Sequence, residues 1–109
     1  MKPGRETIEA RVHQVVEDLK SYQPQQIILF GSAARGDADA SSDLDFVLIK
    51  PTRQPFLARL KEAALLVKAP GAIDILVYTP EEWQQMQERE SAFAERVLAE
   101  GRVVYEAKS

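Results

Sequence analysis

Hydrophobic residues recur at helical spacing in the first part of the chain, over 6–22. Charged and polar residues fill the positions between them, which predicts an amphipathic helix with one apolar face. The apolar positions are Ile8, Val12, Val15, Val16 and Leu19. Thr7 is a candidate N-cap, because its hydroxyl can accept a hydrogen bond from an amide of the first turn. Pro24 lies just beyond the helix and helps to stop it.

Strand patterns appear in four later segments. A continuous apolar run at 26–30, rich in β-forming residues, predicts a strand that is buried on both faces. Side chains in 43–50 and 72–78 alternate in character, as expected when successive residues point to opposite faces of a sheet. A short apolar segment at 103–105 predicts an edge strand.

Helical patterns separate these strands. Residues 33–35 can form a short helix, and 55–69 predict a longer one. The expected apolar stripe of the longer helix is Leu57, Leu60, Ala64 and Val67. Thr79 starts a capping-box sequence, so we expect a single helix from there to about Glu100, where Gly101 ends it.

The order of the elements predicts one domain over 1–109, of α/β (α+β) class, in which helices pack on a small sheet. A chain of 109 residues is the size of one domain with one core. Strand order and direction do not follow from the pattern.

The amino-acid composition argues against several classes of functional site. The 14 Lys+Arg and 17 Asp+Glu residues give a net charge of −3, which argues against a strongly basic nucleic-acid surface. The chain has no Cys and one His, which excludes thiolate zinc sites and His-rich metal sites. Neither a membrane-length apolar run nor a signal-like N-terminus is found, so we expect a cytoplasmic protein.

The first chemically informative feature is Gly31-Ser32, between the 26–30 strand and the predicted short helix. Gly31 permits unusual dihedral angles and a close approach of the backbone. Free amides at the start of a helix, together with the Ser32 hydroxyl, can hold a phosphate. Many strand-to-helix turns contain Gly-Ser, so this feature is weak by itself.

The second feature is a pair of carboxylates, Asp43 and Asp45, at the start of a predicted strand. A spacing of two places both on one face, where they repel each other unless a cation or a proton lies between them. Such oxygen ligands suit Mg²⁺. The alternative is an inert, solvated acidic loop end.

The third feature is Asp74, which interrupts the apolar 72–78 strand. An unpaired carboxylate inside a strand is costly if it is buried, and a metal shared with Asp43 and Asp45 would explain it. The alternatives are a basic partner such as Arg35 or Lys50, or an exposed position on an edge strand.

Acidic residues at 37, 39 and 43 also resemble the spacing of an EF-hand calcium loop. Counted from Asp37, however, the positions that need Gly and Glu are Ser42 and Leu48. The flanking segments are also typical of strand rather than helix, which argues against a calcium loop.

Gly31-Ser32, ten intervening residues and Asp43-x-Asp45 resemble the signature of the DNA polymerase β-like nucleotidyltransferase superfamily. The wider pattern resembles its minimal nucleotidyltransferases, the MNT proteins. The matching residues are Gly31, Ser32, Ala34, Arg35, Gly36, Ala38, Ser42, Asp43 and Asp45. Asp74 fits the third carboxylate of that family.

The resemblance implies a mixed sheet flanked by helices, with ATP as substrate and two Mg²⁺ ions. Asp43 and Asp45 would bind both ions, and Asp74 would complete the ion nearer the acceptor hydroxyl. Gly31 and Ser32 would contact the β- and γ-phosphates. Arg35 would either pair with a phosphate or brace the acidic loop at 37–42.

MNT proteins often pair with a helical HEPN protein, and the MNT member can act as an antitoxin that transfers AMP to a tyrosine of the HEPN toxin. The resemblance therefore implies such a partner. Two alternatives stay open: an antitoxin that neutralises its partner by covering it, and transfer to a small molecule such as an aminoglycoside.

Overall fold

A computed structural model describes residues 7–39 and 42–108. Helices and strands alternate along most of the chain. The helices are α1 (Ile8–Leu19), α2 (Ser32–Arg35), α3 (Phe56–Leu66), α4 (Pro80–Glu88) and α5 (Ala92–Glu100). The strands are β1 (Gln26–Phe30), β2 (Leu44–Ile49), β3 (Ile73–Tyr78) and β4 (Arg102–Glu106). Within the described ranges every helix is too short or too polar to span a bilayer.

The four strands form one mixed sheet in the order β3-β2-β1-β4. β1 pairs antiparallel with both β2 and β4, whereas β2 and β3 are parallel. The predicted mixed sheet with flanking helices is confirmed. β1 and β2 occupy the two inner positions, which agrees with the continuous apolar sequence of β1 and with the burial of Ile27, Ile28 and Leu29.

Each face of the sheet has its own apolar core. On one face Leu29, Phe46 and Leu48 pack with α1 residues in the larger cluster. On the other face Ile28 and Val47 pack with Trp83 of α4 and with α5 residues. Because strand side chains alternate, Asp45 lies on the same face of the sheet as Val47 and Ile49, the face that α4 and α5 cover.

α1 begins as expected, since the Thr7 hydroxyl accepts a hydrogen bond from the Ala10 amide. The α-helix ends at Leu19, and 20–22 continue as one 3₁₀ turn before Gln23 adopts a left-handed conformation with φ 62°. All five predicted core positions of this helix pack into or against the larger cluster.

The predicted apolar stripe of α3 is wrong in part. Leu57 is 72% exposed and Ala64 is exposed, whereas Ala63 and Arg59 are buried. The buried face includes Arg59, whose guanidinium donates to the Val77 carbonyl and to Glu82, and a pattern of apolar residues cannot predict a buried arginine.

A single helix from Thr79 to Glu100 is also wrong. The chain leaves the helix after Glu88, Glu90 adopts φ 56°, and the Ser91 hydroxyl accepts a hydrogen bond from the Ala94 amide to start α5. The break lets both Trp83 and Val97 reach the same sheet face. The capping box at Thr79 and Glu82 is confirmed.

Candidate active site

The three candidate carboxylates lie at one end of the sheet, which we call the carboxylate end: the last residue of β1 and the first residues of β2 and β3. Asp45 is directly paired with Phe30 on one side and with Asp74 on the other. In neighbouring strands, residues in register point to the same face. Asp45 and Asp74 therefore project together, and Asp43 immediately precedes β2.

Gly31 approaches Asp45 so closely that no other residue would fit unchanged. Its φ is 79° and its ψ is −157°, a conformation that strongly favours glycine. A Cβ atom at this position would lie 2.6 Å from Asp45 Oδ2. The glycine thus brings the strand-to-helix turn directly against the carboxylate.

Asp45 is half-buried, and its surroundings oppose its charge. Burial raises the pKa of its carboxyl above the ordinary value, and the negative charges of Asp74 and Asp43 and a hydrogen bond to Asp74 raise this pKa further. A site in which like charges converge favours either a proton or a cation.

Asp43 and Asp74 are both exposed. Asp74 lies on the edge strand β3, which is one of the alternatives that the sequence left open, and the edge position accounts for its tolerance there. Among residues 7–39 and 42–108, no three His, Cys, Asp or Glu side chains converge tightly enough to ligate one ion. The aligned Asp45–Asp74 pair and the raised pKa of Asp45 nevertheless fit a divalent cation.

Ser32 begins α2, one residue after Gly31. The Gly31 carbonyl accepts hydrogen bonds from the amides of Ala34 and Arg35, which closes the turn. The first amides of a helix have no acceptor within it, so the turn presents donors beside the carboxylates. This geometry suits an anionic group held opposite Asp45.

Arg35 braces the loop after α2. Its Nε donates to Asp37 Oδ2 at 3.1 Å, and its Nη1 donates to Glu100 Oε1 at 3.1 Å. The second contact joins α2 to the end of α5. Arg35 was predicted either to brace the loop or to contact a phosphate. The structure shows the bracing contacts, and the phosphate contact stays a prediction.

The described residues of the acidic loop do not form a calcium loop. It follows α2, a helix of four residues, and leads into strand β2, whereas an EF-hand needs two flanking helices. The Asp39 amide and one carboxylate oxygen bond instead to the Ser42 hydroxyl. Residues 40 and 41 lie outside the described ranges.

Sequence reasoning missed Arg11. This side chain of α1 is 3% exposed and reaches the backbone immediately before β2 and just before β3. Its position on the helix was a usable signal, because residue 11 falls within the apolar stripe between Ile8 and Val15, where a charge needs buried partners.

The sequence model of the family described as "Polymerase beta, Nucleotidyltransferase" matches residues 13–109. No curated protein matches the sequence.

Several solved structures share the fold. A protein from Sulfolobus solfataricus described as a nucleotidyltransferase has a TM-score of 0.60 and 18% identity, with 96% of this chain and 93% of that chain covered. A toxin–antitoxin structure with AMP-PNP has a TM-score of 0.63 and 19% identity, with 88% and 73% covered. A mutant of the toxin–antitoxin pair MntA-HpeT has a TM-score of 0.57 and 17% identity, with 89% and 73% covered.

Proposed function

This chain belongs to the polymerase beta nucleotidyltransferase family, and we propose that it transfers AMP from ATP, with Mg²⁺, to a hydroxyl group of a protein partner. The observation that carries this proposal is the juxtaposition of Asp45 with Asp74 on one side and Gly31 on the other. It places paired anionic ligands next to a turn that can hold phosphates.

Asp43 and Asp45 would hold the two cations, and Asp74 would complete the cation nearer the acceptor. Bound Mg²⁺ would neutralise the triphosphate and make the acceptor hydroxyl easier to deprotonate. The raised pKa of Asp45 reflects a site that is short of positive charge, which a cation would supply.

Gly31 and Ser32 would position the β- and γ-phosphates. The acceptor oxygen would bond to the α-phosphorus as the bond to the bridging oxygen breaks, and pyrophosphate would leave with that oxygen. Asp74, exposed at the sheet edge, would help to remove the acceptor's proton. Arg35 would make a phosphate contact through guanidinium N–H groups that its bonds to Asp37 and Glu100 do not use, or by exchanging one of those carboxylates.

A tyrosine of a helical HEPN-type toxin is the acceptor that we propose, with the chain serving as antitoxin. Two structural neighbours are toxin–antitoxin structures, and one of them was determined with AMP-PNP. For this chain the partner is an inference from the fold that it shares with them.

The test is mass spectrometry of a candidate HEPN-type partner, co-expressed with this chain and incubated with ATP and Mg²⁺. We compare wild type with Asp43→Asn/Asp45→Asn. Glu81→Gln/Glu106→Gln is the matched control, because it removes two exposed carboxylates near the other end of the sheet.

Mass increments of AMP in wild type and control that vanish in the Asp43→Asn/Asp45→Asn protein would support the proposal. A stable complex that neutralises the toxin without any increment, also with Asp43→Asn/Asp45→Asn, would replace catalysis with neutralisation by occlusion. Transfer to an added aminoglycoside, with the protein left unmodified, would make the acceptor a small molecule.

A further inference from the structure

Arg11 connects the two chain segments that carry the candidate carboxylates. Its Nη1 donates to the Ser42 carbonyl at 2.8 Å, and its Nε donates to the Pro70 carbonyl at 3.0 Å. Ser42 immediately precedes Asp43, and 70–72 lead into β3. One guanidinium from α1 thus holds both entry segments from below the sheet.

A backbone bond closes the same junction. The Leu44 amide donates to the Ala72 carbonyl at 3.0 Å. Leu44 lies one residue before Asp45, and Ala72 lies two residues before Asp74, the residue paired with Asp45. Arg11 and this bond together set where β2 begins relative to β3. Backbone pairing of 44–49 with 73–78 defines the register along the two strands, and Arg11 adds its contacts at the end where both strands begin.

Gly71 accommodates the guanidinium. A Cβ atom there would lie 2.3 Å from Arg11 Nη2, and the residue has φ 90°. The turn before β3 is therefore shaped around the Arg11 side chain. This close fit indicates a defined position for the guanidinium rather than a general covering of the core by a long side chain.

We propose that Arg11 is a positioning residue for nucleotidyl transfer: it fixes the placement of Asp43 and Asp45 relative to Asp74. We call the two bonds from Arg11 to the Ser42 and Pro70 carbonyls the clamp. The role of the clamp in catalysis rests on the proposed function, whereas its effect on the two strands can be tested without it. A planar, forked guanidinium can donate to two separate carbonyls at once, which the point-like ammonium of lysine does less well.

Arg59 offers a matched control within the same strand pair. Within 7–39 and 42–108 it is the second buried arginine, 6% exposed, and it donates to the carbonyls of Gln54 and Val77 and to Glu82. Val77 precedes the last residue of β3, so Arg59 acts at the end of the sheet opposite to the carboxylates.

The first measurement is native-state hydrogen exchange of two amides, Leu44 and Lys50. They donate to Ala72 and Tyr78, at opposite ends of the β2–β3 pair. Arg11→Met should speed exchange at Leu44 by at least about tenfold with little change at Lys50, whereas Arg59→Met should do the reverse. Arg11→Lys and Arg59→Lys replace these variants if the methionine proteins do not fold.

The second measurement is binding of Mn²⁺ in the presence of AMP-PNP, together with kcat and KM for transfer. Arg11→Met should raise the Mn²⁺ concentration for half-saturation by about tenfold or more, because residues that support metal ligands typically have effects of 10- to 100-fold. We expect kcat to fall more than KM for ATP changes, and Arg11→Lys to recover part of the loss.

Equal exchange at Leu44 in Arg11→Met and wild type, or equal acceleration at Leu44 and Lys50, would overturn the clamp. Unchanged Mn²⁺ binding and kcat in a variant with faster Leu44 exchange would show that the clamp does not serve the site. If wild type transfers no nucleotide, the proposed function fails, and the exchange data still decide whether the clamp exists.

Discussion

The two ends of the sheet shift the pKa of a carboxyl group in opposite directions. At the carboxylate end, burial raises the pKa of Asp45, and the neighbouring carboxylates of Asp74 and Asp43 raise this pKa further. At the other end, the hydrogen-bonded guanidinium of Arg59 lowers the pKa of Glu82, and Thr79 adds to this effect. Arg59 grips both oxygens of Glu82, at 2.7 and 3.1 Å.

This difference indicates what each end is for. The paired charges of Arg59 and Glu82 hold α3, β3 and the start of α4 together. Repulsion of the Asp45 charge by the neighbouring carboxylates lowers the stability of the fold, and a bound cation would relieve this repulsion. Sites that work on substrates are commonly less stable than the scaffold allows, and substitutions that relieve them tend to raise stability and lower activity.

The largest expected effect is at the close contact of the carboxylate end. Gly31→Ala should reduce transfer by about 100-fold, because moving Asp45 by about an ångström misplaces the reacting groups. Gly36→Ala is the control, since Gly36 has a similar φ of 85° with open space around its Cβ position. Initial rates of AMP incorporation measure both, and equal losses would refute a special role for the contact.

Next in size is the loss of charge at the opposite end. Glu82→Gln should destabilise the protein at pH 7 by about 1–2 kcal/mol, because the buried Arg59 keeps only a neutral acceptor. The partial exposure of Glu82 keeps the value well below that of a fully buried pair. Urea unfolding measures it, and an unchanged midpoint would count against the pair.

Asp45→Asn should have the opposite sign and raise the melting temperature at pH 7. The raised pKa of Asp45 means that its ionised form destabilises the fold at neutral pH, and that this penalty fades as pH falls through the raised value towards about 4. The gain from Asp45→Asn should therefore shrink over that window.

For Glu82 the pKa is lowered, so its stabilisation exists above about pH 4 and is lost as pH falls through the lowered value. The deficit of Glu82→Gln should disappear in acid. Thermal melts of both variants from pH 3 to pH 7 test the predicted gain in stability of Asp45→Asn and the predicted deficit of Glu82→Gln. A destabilised Asp45→Asn protein at pH 7 would contradict the contrast between the two ends.

The smallest effect concerns Tyr22, also at the end opposite to the carboxylates. Its hydroxyl donates to Glu62 at 3.3 Å, and burial, then the charge of Glu62, raises the pKa of this phenol to about 12. Tyr22→Phe should cost roughly 1 kcal/mol or less. Burial also raises the pKa of Tyr78, so ultraviolet titration of wild type should show more than one late phenol, and the one near pH 12 should be missing from the variant.

Local features of the sequence were sufficient for much of the fold. The bounds of β1, the caps at Thr7 and Thr79, and the Gly31 turn follow from residue types at short spacing, whose physical effects are local. The break at Glu90 was missed because Ser91 is only a moderate cap signal inside an otherwise helical pattern.

The sequence by itself determined that a Gly-Ser turn and two same-face carboxylates follow each other in one segment, since side-chain alternation fixes this once a strand forms. Only the tertiary structure decided that Asp74 lies in register with Asp45, that β3 is an edge strand, and that Arg11 joins their two entry segments. These relations depend on pairing and packing between residues far apart in the chain, which short-range periodicity does not encode.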